Sequence, residues 1–331
     1  MQPNLQFMGG ISKIQQNIAN DLSSLNDIIN KALESNSTLM NQIVTNYLET
    51  KGKQIRPILV ILSGRFFGGV NEGVLYAGAA LELLHNASLI HDDVIDESKE
   101  RRGKPTVNRV WDNHISVLVG DFFTSAALHC AVQTGNHKIT AVLSHLGREL
   151  ALGEIQQIDN ARQHHINETA YFDTISRKTA SLFKCCVEAS GYATGADEKQ
   201  LKDLMQFTEL LGLCFQIKDD IFDYFEDKTI GKPTGNDLRE GKVTLPLIYA
   251  LTKENSTAQK DMLDIVKKGE LSSEEIATLI EYAKNEGGIE YAYATMERLR
   301  DEAFAILDSY PQTDAIEDFK LLFNYIIQRK K

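Results

Sequence analysis

Apolar residues recur at spacings of three and four along most of the chain, clearly so in "ANDLSSLNDIINKALE" at 19–34 and "LKDLMQFTELLGLCFQI" at 201–217. That period gathers apolar side chains on one face of a 3.6-residue helix. Alternating, strand-like runs are scarce. "IRPILVILSGRFFGG" predicts a helix with Pro57 in its first turn, where a missing N–H does no harm, and an end near Gly68. The expectation is an all-α protein with many long helices. Only six prolines occur and no Pro- or Ser-rich linker divides the chain, so one domain over residues 1–331 is expected.

Composition narrows the function classes. The 331 residues are 43% hydrophobic and 24% charged, ordinary for a globular chain with a large core. A net charge of −11 without a basic block argues against a nucleic-acid partner. No apolar run approaches the roughly 18 residues that span a bilayer, and "MQPNLQFMGG" has no signal-peptide pattern. A cytoplasmic location without an integral membrane segment is therefore expected. Cys130, Cys185, Cys186 and Cys214 lack C-x-x-C spacing and read as reduced, buried thiols.

An internal echo carries the chemistry. "LIHDDVID" is answered by "QIKDDIFD", and "GKPT" follows each, at 103–106 and at 231–234. Repetition in the same order points to two similar arms serving one site. On a helix Asp92 and Asp96 share a face, as do Asp219 and Asp223, while Asp93 and Asp220 point partly aside. Like charges so placed destabilise a helix by about 0.2–0.5 kcal/mol per pair. A single such motif is as readily a solvated helix face. Both motifs lie in apolar sequence, however, and inward carboxylates need a compensating cation. Oxygen-only ligands favour Mg2+, with Mn2+ as a substitute, over zinc. Arg56, Arg101, Arg102, Lys104, Lys178, Lys232, Arg239 and Lys242 accompany the two arms. Metal on one side and fixed cations on the other would grip a polyanion such as a diphosphate.

These motifs, with "GKQIRP", "GDFF", "GEIQQ", "KTASLF" and "GKPTGNDLREGKVTLPLIYA", resemble those of the all-trans polyprenyl diphosphate synthases over most of residues 50–250. The resemblance implies a bundle of antiparallel helices around a deep cavity, usually a homodimer. It implies repeated condensation of an allylic diphosphate with isopentenyl diphosphate. By the same resemblance Asp92, Asp96 and Asp219 would bind magnesium, with Asp93, Asp220 and Asp223 in support. Arg101, Lys178, Thr179, Gln216, Lys232 and Lys242 would face the allylic substrate, with Arg101 and Lys178 catalytic alongside Asp92, Asp96 and Asp219. Lys53, Arg56, His85 and Arg102 would hold isopentenyl diphosphate. Read alone, His85 is as easily a satisfied core histidine. Two positions depart from the usual pattern: the family often has Gly-Gly-Lys-Arg where this chain has Lys51-Gly52-Lys53-Gln54, and Lys218 puts a cation directly before the second acidic pair.

Product length is read from the residues one turn before Asp92. Ala87 and Ser88 are small, as are Ala77, Gly78, Ala79 and Ala80. One turn advances about 5.4 Å, comparable to an isoprene unit, so an open shaft implies a long product of roughly six to ten units, octaprenyl being the best single expectation. Phe122 or Phe123 could form a floor. The alternatives are a shorter-chain (farnesyl or geranylgeranyl) synthase and a non-catalytic subunit of a heteromeric synthase. A His-Asp phosphohydrolase would leave "QIKDDIFDY" and both GKPT segments unexplained. A terpene cyclase would not need the second diphosphate pocket of Lys53, Arg56 and Arg102.

Overall fold

The computed structural model describes residues 8–49, 52–101, 103–163, 166–225, 234–253 and 257–329. In chain order its helices begin with α1 (Met8–Asn17), α2 (Ala19–Ala32), α3 (Thr38–Leu48), α4 (Ile55–Phe66) and α5 (Glu72–Ile95). A two-stranded hairpin follows, β1 (Glu100–Arg101) and β2 (Lys104–Pro105), then α6 (Val107–Val110), α7 (Asn113–Gln133) and α8 (His137–Gln163). Next come α9 (Glu168–Ile175), a π-helical turn at Ser176–Ala180, α10 (Ser181–Thr194) and α11 (Glu198–Phe222). The chain ends with α12 (Asn236–Arg239), α13 (Leu245–Thr252), α14 (Thr257–Val266), α15 (Ser273–Asn285), α16 (Gly288–Asp308) and α17 (Asp314–Gln328). The all-α expectation holds, and α2, α4 and α11 fall where the apolar period placed them.

By its contacts the chain forms two compact units: one of residues up to 148 with 182–206 and 310–322, the other of 149–181, 207–309 and 323 onward. In the first unit α5 packs along α7 and against α2 and α4. Asn71 caps α5 by accepting from the Val74 N–H at 2.9 Å, and Asp112 caps α7 by accepting from Ile115 N–H at 2.8 Å. Both helices are long and apolar enough, by length and composition alone, to cross a bilayer, although 56% and 44% of their apolar windows are buried within the protein. The small residues of α5 serve close packing. A Cβ on Gly78 would lie 2.5 Å from Leu25 Cδ1, so the space read from the sequence as open shaft is filled there. Ala77, Ala79 and Ala80 are likewise buried.

In the second unit α13 packs on α15 and α16. Its core gathers Leu238, Leu247, Leu251, Ile276 and Leu279. Gly288 allows the closest approach, since a Cβ there would meet the Pro246 carbonyl oxygen at 2.1 Å. Ser272 and the Glu275 side chain form a reciprocal capping box at the start of α15.

Candidate active site

The first acidic arm closes α5. Asp92 is half-buried, Asp96 is the exposed C-cap residue, and the Asp96 N–H donates to the Asp92 carbonyl at 2.8 Å. Carboxylates here meet the negative end of the helix dipole, unfavourable by about 0.3–1 kcal/mol each, so a cation must follow. Arg101 on β1 supplies it: two of its guanidinium nitrogens each lie 2.8 Å from Asp93 Oδ1. Burial opposes the Arg101 charge, but the hydrogen bond and charge of Asp93 prevail and its pKa is raised. Asn108 donates to the Asp93 and Ser98 carbonyls, both at 3.1 Å, and the Thr106 hydroxyl donates to Ser98 at 2.8 Å. The hairpin is thereby tied to the end of α5, and its turn places Gly103 at φ +75°.

Other expected residues of the first unit sit nearby in sequence. Ala87 is 1% exposed and Ser88 turns its hydroxyl to the His85 carbonyl at 2.9 Å. The Tyr47 hydroxyl donates to Asn86 Oδ1 at 3.1 Å, and its ring meets buried Phe123 edge-on at 5.4 Å. His85 is half-buried on α5, and Lys53 is exposed. Arg56, in the first turn of α4, lies over the Phe183 ring at 5.7 Å. Gln54 occupies the left-handed region at φ +53°, its amide donating to Asn26 Oδ1 at 2.7 Å, which shapes the loop that departs from the family's usual sequence. Arg102 lies outside the described residues.

The second arm closes α11, in the second unit. Asp219 is 39% exposed and accepts from Arg329 at 2.6 Å. Asp220 is 5% exposed with both oxygens engaged: the Tyr171 hydroxyl donates to Oδ2 at 2.6 Å and Gln216 Nε2 to Oδ1 at 2.8 Å. Burial pushes the Asp220 carboxyl up to about 6, its two donors pull it back, and Asp219 and Asp223 raise it again. Burial, then Asp220, raises Tyr171 well above the usual phenol. Asp223 accepts the backbone N–H groups of Asn236 at 3.1 Å and Asp237 at 3.0 Å, fixing the start of α12. Lys218 turns away from the acids: its ammonium donates to the Tyr293 hydroxyl at 2.9 Å and lies over the Tyr293 and Phe222 rings.

Between α9 and α10 the π turn reorients two expected residues. Such turns often mark functional positions because the extra residue shifts the helical register. Lys178 reaches back to α8, 2.5 Å from Glu154 Oε2 and 3.0 Å from Gln157 Oε1. Thr179 reaches α11, its hydroxyl donating to Gln216 Oε1 at 2.7 Å. A Cβ on Gly153 would lie 3.3 Å from the Lys178 backbone, a measure of how closely α8 approaches. Gln157, Lys178, Thr179 and Gln216, together with Lys242, Asp237, Ile175, Val243 and Ile248, line a cavity of about 170 Å³. Desolvation and the neighbouring carboxylates hold Asp237 well above the usual carboxylate range. Lys242 also pairs with Glu240. Lys232 lies outside the described residues.

Among the described residues no three His, Cys, Asp or Glu side chains converge into a ready-made metal cage. The donor set nevertheless fits a hard cation. Magnesium commonly takes one or two carboxylates and completes its shell with water and substrate phosphate. Asp92, Asp96 and Asp219 keep the solvent access that such use needs, Asp219 while also paired with Arg329, whereas Asp93 and Asp220 are buried against protein donors and Asp223 accepts the backbone of α12. Sequence reasoning missed Tyr171, Glu154, Gln157, Asp237 and Arg329. Glu154 and Gln157 had a signal, their i, i+3 spacing in "GEIQQ"; Tyr171 had none beyond an aromatic in a helix.

Comparison with known proteins gives the family. The polyprenyl synthetase family model matches residues 37–283. The chain is 36% identical over 309 residues to heptaprenyl diphosphate synthase component 2 of Bacillus subtilis (strain 168), covering 92% of this chain and 88% of that one. It is 33% identical over 322 residues to octaprenyl diphosphate synthase of Escherichia coli (strain K12), covering 97% and 99%. The crystal structure of geranylgeranyl pyrophosphate synthase from Bacteroides thetaiotaomicron superposes with a TM-score of 0.84 at 38% identity, covering 97% of this chain and 100% of that one. The chain belongs to the polyprenyl synthetase family: it is a prenyltransferase, a trans-prenyl diphosphate synthase.

Proposed function

We propose that this enzyme elongates an allylic diphosphate such as farnesyl diphosphate with isopentenyl diphosphate, in the presence of Mg2+, to a long-chain all-trans polyprenyl diphosphate. The observation that carries this reading is the second-unit cavity, where Lys178, Lys242, Gln216 and Asp220 share walls with apolar Ile175, Val243 and Ile248. Asp92, Asp96 and Asp219 are the proposed metal ligands. Asp93, Asp220 and Asp223 hold the surrounding groups in place. Bound magnesium supplies charge neutralisation to the departing diphosphate.

The reaction breaks the bond between the allylic carbon and oxygen, and the electron pair leaves with the diphosphate. Lys178, Lys242 and Arg101 stabilise charge that grows as the bond breaks, and so favour the transition state over bound substrate. Lys53, Arg56 and His85 hold isopentenyl diphosphate, whose double bond forms the new carbon–carbon bond. The proton then lost passes to the departed diphosphate. Apolar lining keeps water from quenching the cation.

For product length, the small side chain of Ala87 one turn before Asp92 supports a long chain, with octaprenyl preferred in accord with the octaprenyl synthase relative. A second reading, a shorter geranylgeranyl product, is favoured by the Tyr47–Phe123 aromatic pair beside Asn86 and by the name of the 38% identical neighbour. We further propose a homodimer, supported by four exposed apolar residues of α7, Val117, Leu118, Leu128 and Val132. The relative named component 2 makes a heteromer the competing outcome. One experiment tests these points: the purified chain is incubated with Mg2+, farnesyl diphosphate and isopentenyl diphosphate, its products are sized, and its mass is measured by light scattering. Long products from a dimer are expected, shortened markedly by Ala87→Phe. No product from the isolated chain sinks the homomeric reading, and unchanged length in Ala87→Phe removes the shaft.

A further inference from the structure

Behind Asp219 runs a chain of four side chains. Thr179 donates to Gln216, whose amide is thereby oriented to donate to Asp220, and Tyr171 donates to the other Asp220 oxygen. The chain links the π turn and α11 to α9. Three of its members were already expected near substrate or metal, but Tyr171 was not. Tyr171 is 8% exposed, and a buried hydroxyl needs an acceptor. A short side chain can use a carbonyl one turn back on its own helix, as Thr174 does with Ala170 at 2.8 Å, but the ring carries a tyrosine hydroxyl beyond that reach. Tyr171 instead reaches across to the carboxylate adjoining Asp219.

Gln216 lies one turn before Asp220 on the same helix, so its hydrogen bond alone leaves the carboxylate free to pivot. A second donor from a different helix removes that freedom. We propose that Tyr171 is a positioning residue for prenyl transfer: its hydroxyl fixes Asp220 so that this carboxylate backs Asp219 in one orientation toward the divalent ion. The proposal rests on the reading of Asp219 as a metal ligand. Outer groups that orient metal ligands typically alter affinity or activity 10- to 100-fold when removed.

Tyr171→Phe deletes one oxygen and keeps the ring, including its edge-on contact with Phe172. Three quantities decide the matter: Mn2+ binding followed by paramagnetic resonance with inorganic pyrophosphate present, condensation kinetics against Mg2+ concentration, and the metal-free unfolding temperature. The variant is expected to bind Mn2+ about tenfold more weakly and to need about tenfold more Mg2+ for half-maximal rate. Its kcat falls about 10- to 100-fold while the KM for isopentenyl diphosphate stays within about twofold. In Tyr171→Phe/Asp220→Asn the losses should not multiply, because the two groups act as one unit. Mn2+ affinity within about twofold of the parent, or losses that multiply, overturns the proposal even if the unfolding temperature drops. If Tyr171→Phe does not fold, Thr179→Val removes the donor at the other end of the chain and must weaken Mn2+ binding in the same direction. A parent enzyme that forms product without any divalent ion would instead refute the metal reading itself.

Discussion

Replacing Arg329 with alanine tests whether the end of the chain is part of the structure. By its local pattern alone, "QRKK" at 328–331 reads as a basic tail more easily frayed than ordered. In the structure the Arg329 side chain is only 8% exposed, just beyond α17. It donates to Asp219 Oδ1 at 2.6 Å and to the Phe215 carbonyl at 3.0 Å. Its guanidinium lies 4.2 Å from the Phe215 ring centroid and 5.4 Å from that of Phe222. A hydrogen bond to a charged partner contributes about 1.5–3 kcal/mol. Asp219 is 39% exposed, so solvent screening reduces that to about 1 kcal/mol. Stacking on a largely desolvated ring adds about 0.5–2 kcal/mol. The sum, about 1.5–3 kcal/mol, should lower the unfolding temperature by about 2–4 °C in a chain of this size. Thermal scans of the parent, Arg329→Ala and Arg329→Lys in metal-free buffer measure it. Lysine keeps the charge but not the planar stack, so it should restore less than half of the loss. An Arg329→Ala scan within about 1 °C of the parent would refute the anchoring.

Four further outcomes follow from local geometry. A Cβ on Gly120 would sit 2.2 Å from His91 Nε2, so Gly120→Ala must expel that ring from its contact with the Val117 carbonyl; urea unfolding should show a loss of about 1–3 kcal/mol, largely recovered in Gly120→Ala/His91→Ala. Ser272→Ala removes the α15 cap and should reduce stability by about 1 kcal/mol in the same assay. The hydrogen bond from Lys268, with those of Ser272, lowers the Glu275 pKa from 4.5 to about 2, so its stabilisation is full above pH 4.5 and lost as pH falls toward 2; the stability gap between parent and Glu275→Gln should close over that window. All four cysteines are buried, with Cys130 pushed up to about 11 and Cys186 and Cys214 also raised by burial, so native protein should resist iodoacetamide at pH 8 and react only when unfolded.

What the sequence made legible was periodic or repeated. The boundaries of α2, α4 and α11 follow from apolar spacing, and the two acidic arms from their shared frame. What it hid was tertiary. Nothing in "YFDTISRKTA" announces that the Tyr171 hydroxyl meets Asp220, because the partner lies 49 residues away. A lone arginine past a helix end has the same local pattern whether it frays or packs, so nothing in the sequence marks Arg329 as packed against Asp219 and Phe215. Small residues are ambiguous for a like reason: at Gly78 the missing side chain admits Leu25, whereas at Ala87 the same smallness was read as room for product. Lys218 shows a third limit. Proximity in sequence placed its charge beside the aspartates, while the helix turned it toward Tyr293.

The six aspartates therefore divide by what surrounds them, in a way their common motif conceals. Adjacent residues on a helix point about 100° apart, so in each D-D pair one carboxylate must face inward when the other faces out. In the first arm the inward one, Asp93, is 4% exposed and held by Arg101; in the second it is Asp220, 5% exposed and held by Tyr171 and Gln216. An ionised carboxylate this deep persists only with donors at hand, so what an exchange costs depends on the partner it leaves behind. Asp92, Asp96 and Asp219 keep solvent access, as the metal-binding role proposed for them requires. The difference in partners is testable within this logic. Arginine brings a full charge to Asp93, whereas tyrosine and glutamine bring only dipoles to Asp220. Neutralising Asp93 by Asp93→Asn strands a half-buried guanidinium and should unfold the hairpin contact, whereas Asp220→Asn removes a charge held only by neutral donors beside Asp219 and Asp223, and should spare stability while weakening metal binding. Equal losses of stability in the two variants, measured by urea unfolding, would show that the inward carboxylates do not differ in this way.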